Sequence, residues 1–526
     1  MTKLNQRILF FLLILFSLYC AVTVGQTWDE HFHIIQGKVT FNYLLSLGRI
    51  DDDIFRREYY SAFYWSIKYF LTQIFPTNFH IEANHIINLF FSLSIVIGIK
   101  KICKELFNIK VSNIVFLLLF FYPIFFGHMA FNGKNMILAF SHTWIFYLVL
   151  RYFKFQNNKS NTNYYIISIS TLTALSSGIN FFFVGTLIPI FIFILVEIFI
   201  FKKIICNNFN KKKFYFDLLK SIILSYFILI LFWIDTHPNI LLLPYEYFTE
   251  FLYGDHWRGY PYNLVDGSYF HADEVSKFYF LINLFFKSPE YFLFLYIVFF
   301  FLLIKSKFFI NTFNDFYYKL SPIILIITFS ILIGFIIPFP LYDGMRFFLW
   351  ALPYFCVIPS LALYYLFENI KKMKSKITLS ITLFLGVFFL FIFFQITPYH
   401  YAYLNLFNGK YENAHKKFEN DYWGTSMKEL INRADFKTDG DLLLGVCGID
   451  VGLPKYYLNK KINNNFSFVP ANEADFIIMT NRVALDHNQV NELPKLINCF
   501  DKFKGSDIAK VKRNGLLLSV IRKPIN

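Results

Sequence analysis

The chain has 526 residues, of which 56% are apolar, 22% aromatic and only 16% charged, and its formal net charge is +15. Soluble globular proteins contain less apolar and more charged sequence, so this composition excludes an ordinary soluble protein. The positive charge does not indicate nucleic-acid binding either, because the basic residues lie mostly in short clusters between apolar runs, where they set membrane topology.

Eleven apolar runs are predicted to form membrane-spanning helices, because each is apolar enough and long enough for most of a bilayer crossing. The first follows Lys3 and Arg7 and lacks a small-x-small cleavage site, so we expect an uncleaved span rather than a signal peptide. An odd number of spans places the two termini on opposite sides of the membrane. The runs cover about residues 8–25, 83–99, 112–126, 136–153, 164–178, 181–201, 218–235, 290–306, 320–337, 347–367 and 377–395.

The positive charges predict the orientation of these helices, because connections rich in lysine and arginine face the cytoplasm. The basic connections are 100–110, 151–159, 202–213, 305–307 and 371–376. The opposite, outer face then receives the connections 26–82, 236–289 and 338–346. We therefore expect a multi-pass protein of the inner (cytoplasmic) membrane, with a transmembrane domain over residues 1–397 and an extracytoplasmic domain over residues 398–526.

Two outer regions are predicted to have structure of their own. The stretch Tyr59 to Phe75 combines Lys68 with many aromatic residues, which is typical of a helix lying in the membrane interface. In the tail, DLLLGVCGI (441–449) and ADFIIMTNR (474–482) are predicted to be short buried strands, which indicates a small soluble α/β domain. Cys447 and Cys499 lie in this tail and can be bridged if it is exported.

The segment TWDEHFH (27–33) places ionisable groups directly after the first predicted span. A carboxylate at the end of a span is partly desolvated, which raises its basicity and suits a general base. A simple polar helix end also explains Asp29 and Glu30, and His31 and His33 either orient the acid or serve the structure. Asp29, His31 and His33 could share a strand face around zinc, but no HExxH or cysteine-rich segment accompanies them.

Further outer segments bring polar groups to the same surface. An arginine at a helix start near the lipid headgroups is well placed to bind a phosphate, with simple anchoring at the interface as the alternative. For the segments 254–263 and 286–292, an ordinary polar loop is the alternative. The candidates are His128, Lys134 and Asn135 in FGHMAFNGKN (126–135), Asp343 and Arg346 in FPLYDGMRFFLWALP (339–353), and Asp255, His256, Arg258 and Lys287 in GDHWRGYPYN (254–263) and FKSPEYF (286–292).

The order and sidedness of these motifs resemble a known family. The motifs occur in this order: an acidic pair after the first span, NGKN at the fourth span, FKSPE at a late span and YDGMRFF before another late span. The tail then contains PYHYAYLNLFNG and FENDYWGTSMKEL. In this order they resemble bacterial GT-C glycosyltransferases of the group related to protein O-mannosyltransferases and lipid A aminoarabinose transferases. The resemblance covers most of the chain and implies an α-helical polytopic fold with a small C-terminal α/β domain.

The resemblance also implies a reaction: inverting transfer of a sugar from a polyprenyl-phosphate donor to a hydroxyl of a lipid, glycan or protein at the outer face. Asp29 would be the catalytic base, and Glu30 would position or assist it. Arg346, Lys134 and Lys287 would hold the donor phosphate. The accessory candidates are His31, His33, His128, Asn135 and Asp343, whereas DYWG (421–424) is expected to be structural.

One segment departs from the family pattern, which reads NPKD where this chain has NGKN. Related enzymes often use the acid of that segment to bind a divalent metal or to position the acceptor. Asn135 can donate and accept hydrogen bonds but carries no charge. We therefore predict neither a metal nor another cofactor.

Two other functional classes predict different patterns. A transporter or flippase of lipid-linked sugars would place ionisable groups at mid-membrane depth, often in paired halves. Here Glu197 and Lys220 lie towards span ends, and no half-to-half symmetry is visible. A non-catalytic scaffold for a cell-envelope partner would not need Asp29 together with Arg346. A transferase is therefore the main prediction.

Overall fold

The computed structural model describes residues 3–50, 61–237, 239–241, 245, 249, 262–336, 340–436, 441–462, 465–486 and 495–525. Its helices are α1 (Lys3–Thr23), α2 (Trp28–Leu45), α3 (Phe63–Thr72), α4 (His80–Leu106), α5 (Ile109–Phe120), α6 (Pro123–His128), α7 (Gly133–Phe155), α8 (Lys159–Ile179), α9 (Phe182–Thr186), α10 (Ile188–Val196), α11 (Lys211–Phe232), α12 (Tyr279–Lys287), α13 (Glu290–Lys305), α14 (Lys307–Asn311), α15 (Phe316–Ile336), α16 (Leu352–Phe355), α17 (Val357–Glu368), α18 (Met373–Gln395), α19 (Met427–Arg433), α20 (Gly452–Lys461) and α21 (Cys499–Lys502). Its strands are β1 (Tyr262–Val265), β2 (Ser268–His271), β3 (Leu442–Cys447), β4 (Phe466–Phe468), β5 (Phe476–Thr480), β6 (Val483–Asp486), β7 (Lys495–Asn498), β8 (Gly505–Arg513) and β9 (Leu516–Pro524).

The membrane part is built from apolar helices. Over the described residues, six helical segments are each long and apolar enough to cross a bilayer, and two bent pairs also pass this test. The six are Thr77–Leu106, Gly133–Phe155, Phe182–Phe201, Lys211–Phe232, Phe316–Ile336 and Met373–Gln395. All eleven predicted runs overlap helices, which confirms the polytopic helical architecture. Length and composition support six to eight crossings, so the number of eleven stays a prediction.

The bend after the first helix is fixed by contacts with the tail. Helices α1 and α2 meet at 92°. Between them, the amide of Gly25 donates to the carbonyl oxygen of Thr425 at 3.0 Å, and a Cβ at Gly25 would lie only 2.5 Å from that oxygen. The next amide, that of Gln26, donates to the hydroxyl of Tyr457 at 2.6 Å. Only glycine permits this close approach, so the start of α2 lies against the C-terminal residues.

The stretch predicted to lie in the interface contains helix α3, which packs against α2. The two helices are so close that a Cβ at Gly37 would lie 2.4 Å from the carbonyl oxygen of Trp65. Residues 51–60, including Tyr59, lie outside the described residues. Lys68 is buried rather than directed to water or headgroups, because its ammonium group faces the carboxylate of Glu30.

The C-terminal sheet region, residues 441–525 as described, contains both predicted strands. Its five-stranded sheet has the order β4–β3–β5–β9–β8, in which β3 is parallel to β4 and β5, and β9 is antiparallel to β5 and β8. The sequence left open whether Cys447 and Cys499 are bridged, and the structure contains this disulfide, with an S–S distance of 2.10 Å. The predicted sheet-containing tail is therefore confirmed.

The segment between the last long helix and the sheet region fastens the tail to α12 and α13. The amide of Asn405 donates to the carbonyl of Phe286 at 2.8 Å, and its side chain donates to the carbonyl of Ser288 at 3.0 Å. The amide of Leu406 donates to the carboxylate of Glu290 at 2.7 Å. These bonds fix the 112° bend between α12 and α13, where Lys287 is the last residue of α12.

Candidate active site

Asp29 lies in the first turn of α2 and is partly buried. In the described part of the chain, its carboxylate has neither a hydrogen-bond donor nor an ion-pair partner. Burial raises the pKa of this carboxyl above its usual value. Nearby cations, Arg346 above all, act against the rise in pKa, whereas the charge of Asp343 adds to it. An acid with raised pKa and uncommitted oxygens has the properties of a general base.

The adjacent Glu30 is, in contrast, held by structural contacts: its Oε2 is hydrogen-bonded, and its Oε1 has only an ion-pair contact. It forms a capping box, in which the amide of Thr27 donates to its carboxylate at 2.7 Å. The imidazole Nε2 of His85 lies 3.0 and 3.1 Å from its two oxygens. Burial alone would raise the pKa of Glu30, but His85, Lys68 and the Thr27 amide together hold it below its usual value. Glu30 therefore positions α2, and with it Asp29.

The two histidines of the motif differ in surroundings. His31 is exposed, whereas His33 stacks on the indole of Trp65 with 4.1 Å between ring centroids. Burial and nearby cations, Lys134 first among them, lower the pKa of His33 well below its usual value, so its ring is neutral at physiological pH. The suggested strand face for zinc is wrong, because the motif is helical and His31 does not share a face with Asp29. Among described residues, no three acids, histidines or cysteines could hold a metal ion.

Asp343 and Arg346 form an ion pair opposite Asp29. Arg346 Nη1 lies 3.0 Å from Asp343 Oδ2, and Trp423 Nε1 donates to the same oxygen at 3.0 Å. The guanidinium carbon of Arg346 also lies 4.2 Å from the ring centroid of Tyr342. The backbone of Asp343 has φ +56°, a conformation that non-glycine residues rarely adopt and that recurs at functional sites. The following Gly344 has φ +65°, which completes the sharp turn.

Lys287 and Glu419 lie beneath this turn, and both are buried. A Cβ at Gly344 would lie 2.6 Å from the Lys287 ammonium nitrogen. Burial lowers the pKa of Lys287 to about 8 despite the nearby acids Glu419 and Asp343. Burial raises the pKa of Glu419 to about 7, against the pull of the Arg482 guanidinium. Burial thus moves the pKa values of both side chains towards neutral pH.

Arg482 also belongs to this cluster, although the sequence motifs did not point to it. It follows strand β5 in the C-terminal sheet region and is fully buried. Its Nη2 lies 2.9 Å from Asp343 Oδ1, and its guanidinium carbon lies 3.9 Å from the ring centroid of Trp28. It also donates to the carbonyl of Tyr422. The one available signal was an arginine two residues after the mostly apolar strand Phe476–Thr480.

The NGKN segment contributes to the site in two ways. The Lys134 ammonium influences both Asp29 and His33, which places its charge at the mouth of the site. Asn135 instead belongs to the start of α7, where its amide and side chain both donate to Asn132 Oδ1, at 3.1 and 3.2 Å. A neutral amide engaged in this way does not fit a metal ligand.

The residues of the DYWG motif have two kinds of role: Asp421 stabilises a turn, whereas Tyr422 and Trp423 contact residues of the candidate site. Asp421 accepts hydrogen bonds from the amides of Thr425 and Ser426 at 2.9 and 3.0 Å, which stabilises the turn before α19. Tyr422 interacts with His128 Nε2 at 3.0 Å, so this accessory candidate supports the wall of the site. Trp423, as described above, contacts Asp343. The candidates Asp255, His256 and Arg258 lie outside the described residues.

The chain matches solved structures over nearly its whole length. ArnT from Cupriavidus metallidurans, a lipid A aminoarabinose transferase, matches with a TM-score of 0.51 in the apo state and 0.52 bound to undecaprenyl phosphate. The match covers 98% and 99% of this chain and 98% of ArnT, at 9% sequence identity. The chain has the GT-C fold.

Another GT-C structure matches with a lower score. It is the oligosaccharyltransferase AglB from Archaeoglobus fulgidus, in complex with an inhibitory peptide and a dolichol-phosphate. Its TM-score is 0.46 at 10% identity, over 97% of this chain and 76% of that one. No protein-family model matches the sequence, and no curated protein does. The fold implied by the motif order is confirmed.

Proposed function

We propose that this protein is a membrane glycosyltransferase that moves a sugar from a polyprenyl-phosphate donor to an acceptor hydroxyl with inversion. The observation that carries the proposal is the environment of Asp29. A partly buried carboxylate with uncommitted oxygens faces a cluster of cations, at the point where apolar helices give way to polar segments. A base beside a phosphate-binding cluster is what transfer from a lipid phosphate requires.

In the proposed reaction, Asp29 acts as the base, and the cations opposite it bind the leaving phosphate. The Asp29 carboxylate accepts the proton of the acceptor hydroxyl while that oxygen attacks the anomeric carbon of the donor sugar. The bond between the anomeric carbon and the phosphate oxygen breaks, and its electron pair stays on that oxygen. Because attack comes from the face opposite the leaving group, the anomeric configuration inverts. Free polyprenyl phosphate is the second product.

The cations bind and stabilise the leaving phosphate. Arg346 offers planar N–H groups suited to phosphate oxygens, and Lys287 and Lys134 add positive charge. Arg346 and Lys287 are buried, where each charge acts more strongly than it would in water. The developing negative charge on the phosphate is therefore stabilised by groups that are already in place.

The proposal extends to donor, acceptor and location. ArnT, which shares the fold, is known with bound undecaprenyl phosphate, which supports a polyprenyl-phosphate hexose or pentose as donor. We propose a lipid, glycan or protein acceptor at the outer face of the cytoplasmic membrane. The N-terminus then lies in the cytoplasm, and residues 398–526 form the extracytoplasmic domain. Because Asn135 does not fit a metal site, no step uses a metal ion.

The test is turnover by the purified full-length protein in detergent, supplied with polyprenyl-phosphate hexoses and pentoses and an envelope extract. Wild type is expected to release free polyprenyl phosphate, and Asp29→Asn is not. Asp266→Asn is the matched control, because Asp266 is an exposed acid on the β1–β2 turn. Equal turnover by wild type and Asp29→Asn would remove Asp29 as the base. Movement of labelled donor across proteoliposome membranes without turnover would favour a flippase.

A further inference from the structure

Arg482 is a buried cation that the proposed reaction does not yet use. An isolated charge is costly to bury, so its partners carry information about its role. Its partners include Asp343, the ring of Trp28 and the carbonyl of Tyr422. All three belong to the site or lie next to it in sequence. Arg482 therefore faces the active-site cluster rather than the interior of its own sheet.

The carboxylate of Asp343 is shared between two arginines. Its Oδ2 forms an ion pair with Arg346 Nη1 at 3.0 Å, and its Oδ1 forms an ion pair with Arg482 Nη2 at 2.9 Å, without the alignment of a hydrogen bond. A carboxylate facing one arginine commonly binds it through both oxygens, which occupies two of the five guanidinium donors. Here Arg346 contacts Asp343 through Nη1. Its Nε is buried and, within the described residues, has no hydrogen-bond partner.

We propose that Arg482 is a positioning residue for donor binding, which holds Asp343 Oδ1 so that Arg346 keeps N–H groups available for the donor phosphate. This inference rests on the proposed function. Without Arg482, Asp343 would turn both oxygens towards Arg346 and compete with the incoming phosphate. The C-terminal sheet region thus contributes to donor affinity through Asp343.

The backbone around Arg482 is held firmly enough for such a role. The hydroxyl of Thr480 donates to the carbonyl of Gly448 at 2.5 Å, and a Cβ at Gly448 would lie 2.9 Å from the Arg482 carbonyl oxygen. The Cys499 sulfur, bridged to Cys447, lies 3.8 Å from that same oxygen. The disulfide and the turn after β3 therefore pack against the backbone of Arg482 and hold it in place.

The test measures binding of undecaprenyl phosphate to the purified full-length protein. Arg482→Gln is expected to weaken binding by about tenfold, as removal of one coupled charge does. Arg482→Lys should fall between wild type and Arg482→Gln, because lysine keeps the charge but not the planar geometry. The decisive variant combines Arg482→Gln with Asp343→Asn. It should recover most of the lost affinity, because a neutral amide no longer competes for Arg346.

Two controls separate positioning from a merely structural role. Arg522→Gln removes another arginine–aspartate pair of the sheet region, that with Asp507, and should bind the lipid like wild type. In turnover assays, Arg482→Gln should raise the KM for the donor with little change in kcat, whereas a folding defect would lower the active fraction.

Two results would overturn the inference while the proposed function survives. One is unchanged binding by Arg482→Gln in a protein whose wild type binds and turns over. The other is a double variant that binds more weakly than Arg482→Gln alone. Failure of wild type to bind undecaprenyl phosphate would instead refute the proposed function, and the inference with it.

Discussion

Asp29 and Glu30 are consecutive acids at the start of one helix, yet they face two different regions of the molecule. Glu30 faces α4 and α3, where His85 and Lys68 neutralise it and the Thr27 amide completes a capping box. Asp29 faces the turn at residues 343–346 and the C-terminal sheet region, where the cations are already paired with Asp343. Two neighbouring carboxylic acids thus differ in direction: the pKa of Asp29 is raised and the pKa of Glu30 is lowered.

The difference shows what makes a buried acid reactive. Burial acts on both carboxylates, so burial alone does not distinguish them. The distinguishing feature is whether donors satisfy the carboxylate, because a satisfied anion is stable and unreactive whereas an unsatisfied one gains from taking a proton. Five experiments test this comparison.

The largest expected effect is on catalysis at Asp29. Asp29→Asn should lower kcat by about two to four orders of magnitude, the range typical of a general base, because asparagine cannot accept the acceptor's proton. Its melting temperature in detergent should stay within a few degrees of wild type, since no partner is lost. If Asp29→Asn unfolds, or if it keeps full activity, Asp29 does not differ from Glu30 by being the catalytic acid of the pair.

The next effect concerns stability at Glu30. Glu30→Gln leaves the buried His85 and Lys68 without their anion and should cost about 1–3 kcal/mol of folding stability. Thermal unfolding monitored in detergent measures this loss. The activity of the folded fraction should fall much less than in Asp29→Asn. Loss of turnover without loss of stability would show that Glu30 acts in the chemistry.

The stability at Glu30 should also depend on pH. Because the folded pKa lies below the usual value of 4.5, the contribution of Glu30 is present above pH 4.5 and is lost as pH falls through the folded pKa. The melting temperature of wild type should therefore drop on acidification more steeply than that of Glu30→Gln. Parallel curves would contradict the charged pairing of Glu30.

A smaller effect is expected where the turn meets Lys287. Gly344→Ala should weaken donor binding by about tenfold, because its Cβ would displace an ammonium group 2.6 Å away. Gly267→Ala is the matched control, since Gly267 also has positive φ (+85°) but its Cβ would meet only a carbonyl oxygen at 3.8 Å. Equal effects of the two substitutions would attribute the loss to backbone strain rather than to Lys287.

The smallest effect is a shift in the pH dependence of turnover. Asp29 is influenced by Arg346, Asp343, Arg482 and Lys134, of which Lys134 is a weak contributor. Loss of the Lys134 charge should raise the pKa of Asp29, so the acid limb of kcat for Lys134→Gln should move to higher pH. Lys134→Arg should leave that limb in place. A shift to lower pH would show that another group sets the limb.

The sequence predicted the parts of the fold that follow from local patterns. The helices and the strands β3 and β5 follow from apolar periodicity, whereas the place of Cys447 and Cys499 in the tail left their bridge open. The gathering of Asp29 and Arg346 on one surface follows from charge sidedness. The helices and strands need only residues near one another in the chain.

The parts that the sequence did not predict depend on contacts between distant segments. Arg482 and Asp343 form an ion pair although more than a hundred residues separate them in the sequence, and apolar periodicity does not predict such a pair. His85 lies within a predicted span, so nothing in its neighbourhood indicated a partner for Glu30. The start of α2 was open to a strand reading because alternation in a five-residue motif is too short to separate strand from helix.

The position of Arg482 along the chain also concerns biosynthesis. Every described helix long enough to cross a membrane precedes it, and its supporting disulfide forms only under oxidising conditions. A chain that has inserted its helices but has not yet folded its tail lacks Arg482, Tyr422 and Trp423 in the cluster. Completion of the site is thus a late step in maturation, and under the proposed function it separates membrane insertion from consumption of the lipid-linked sugar.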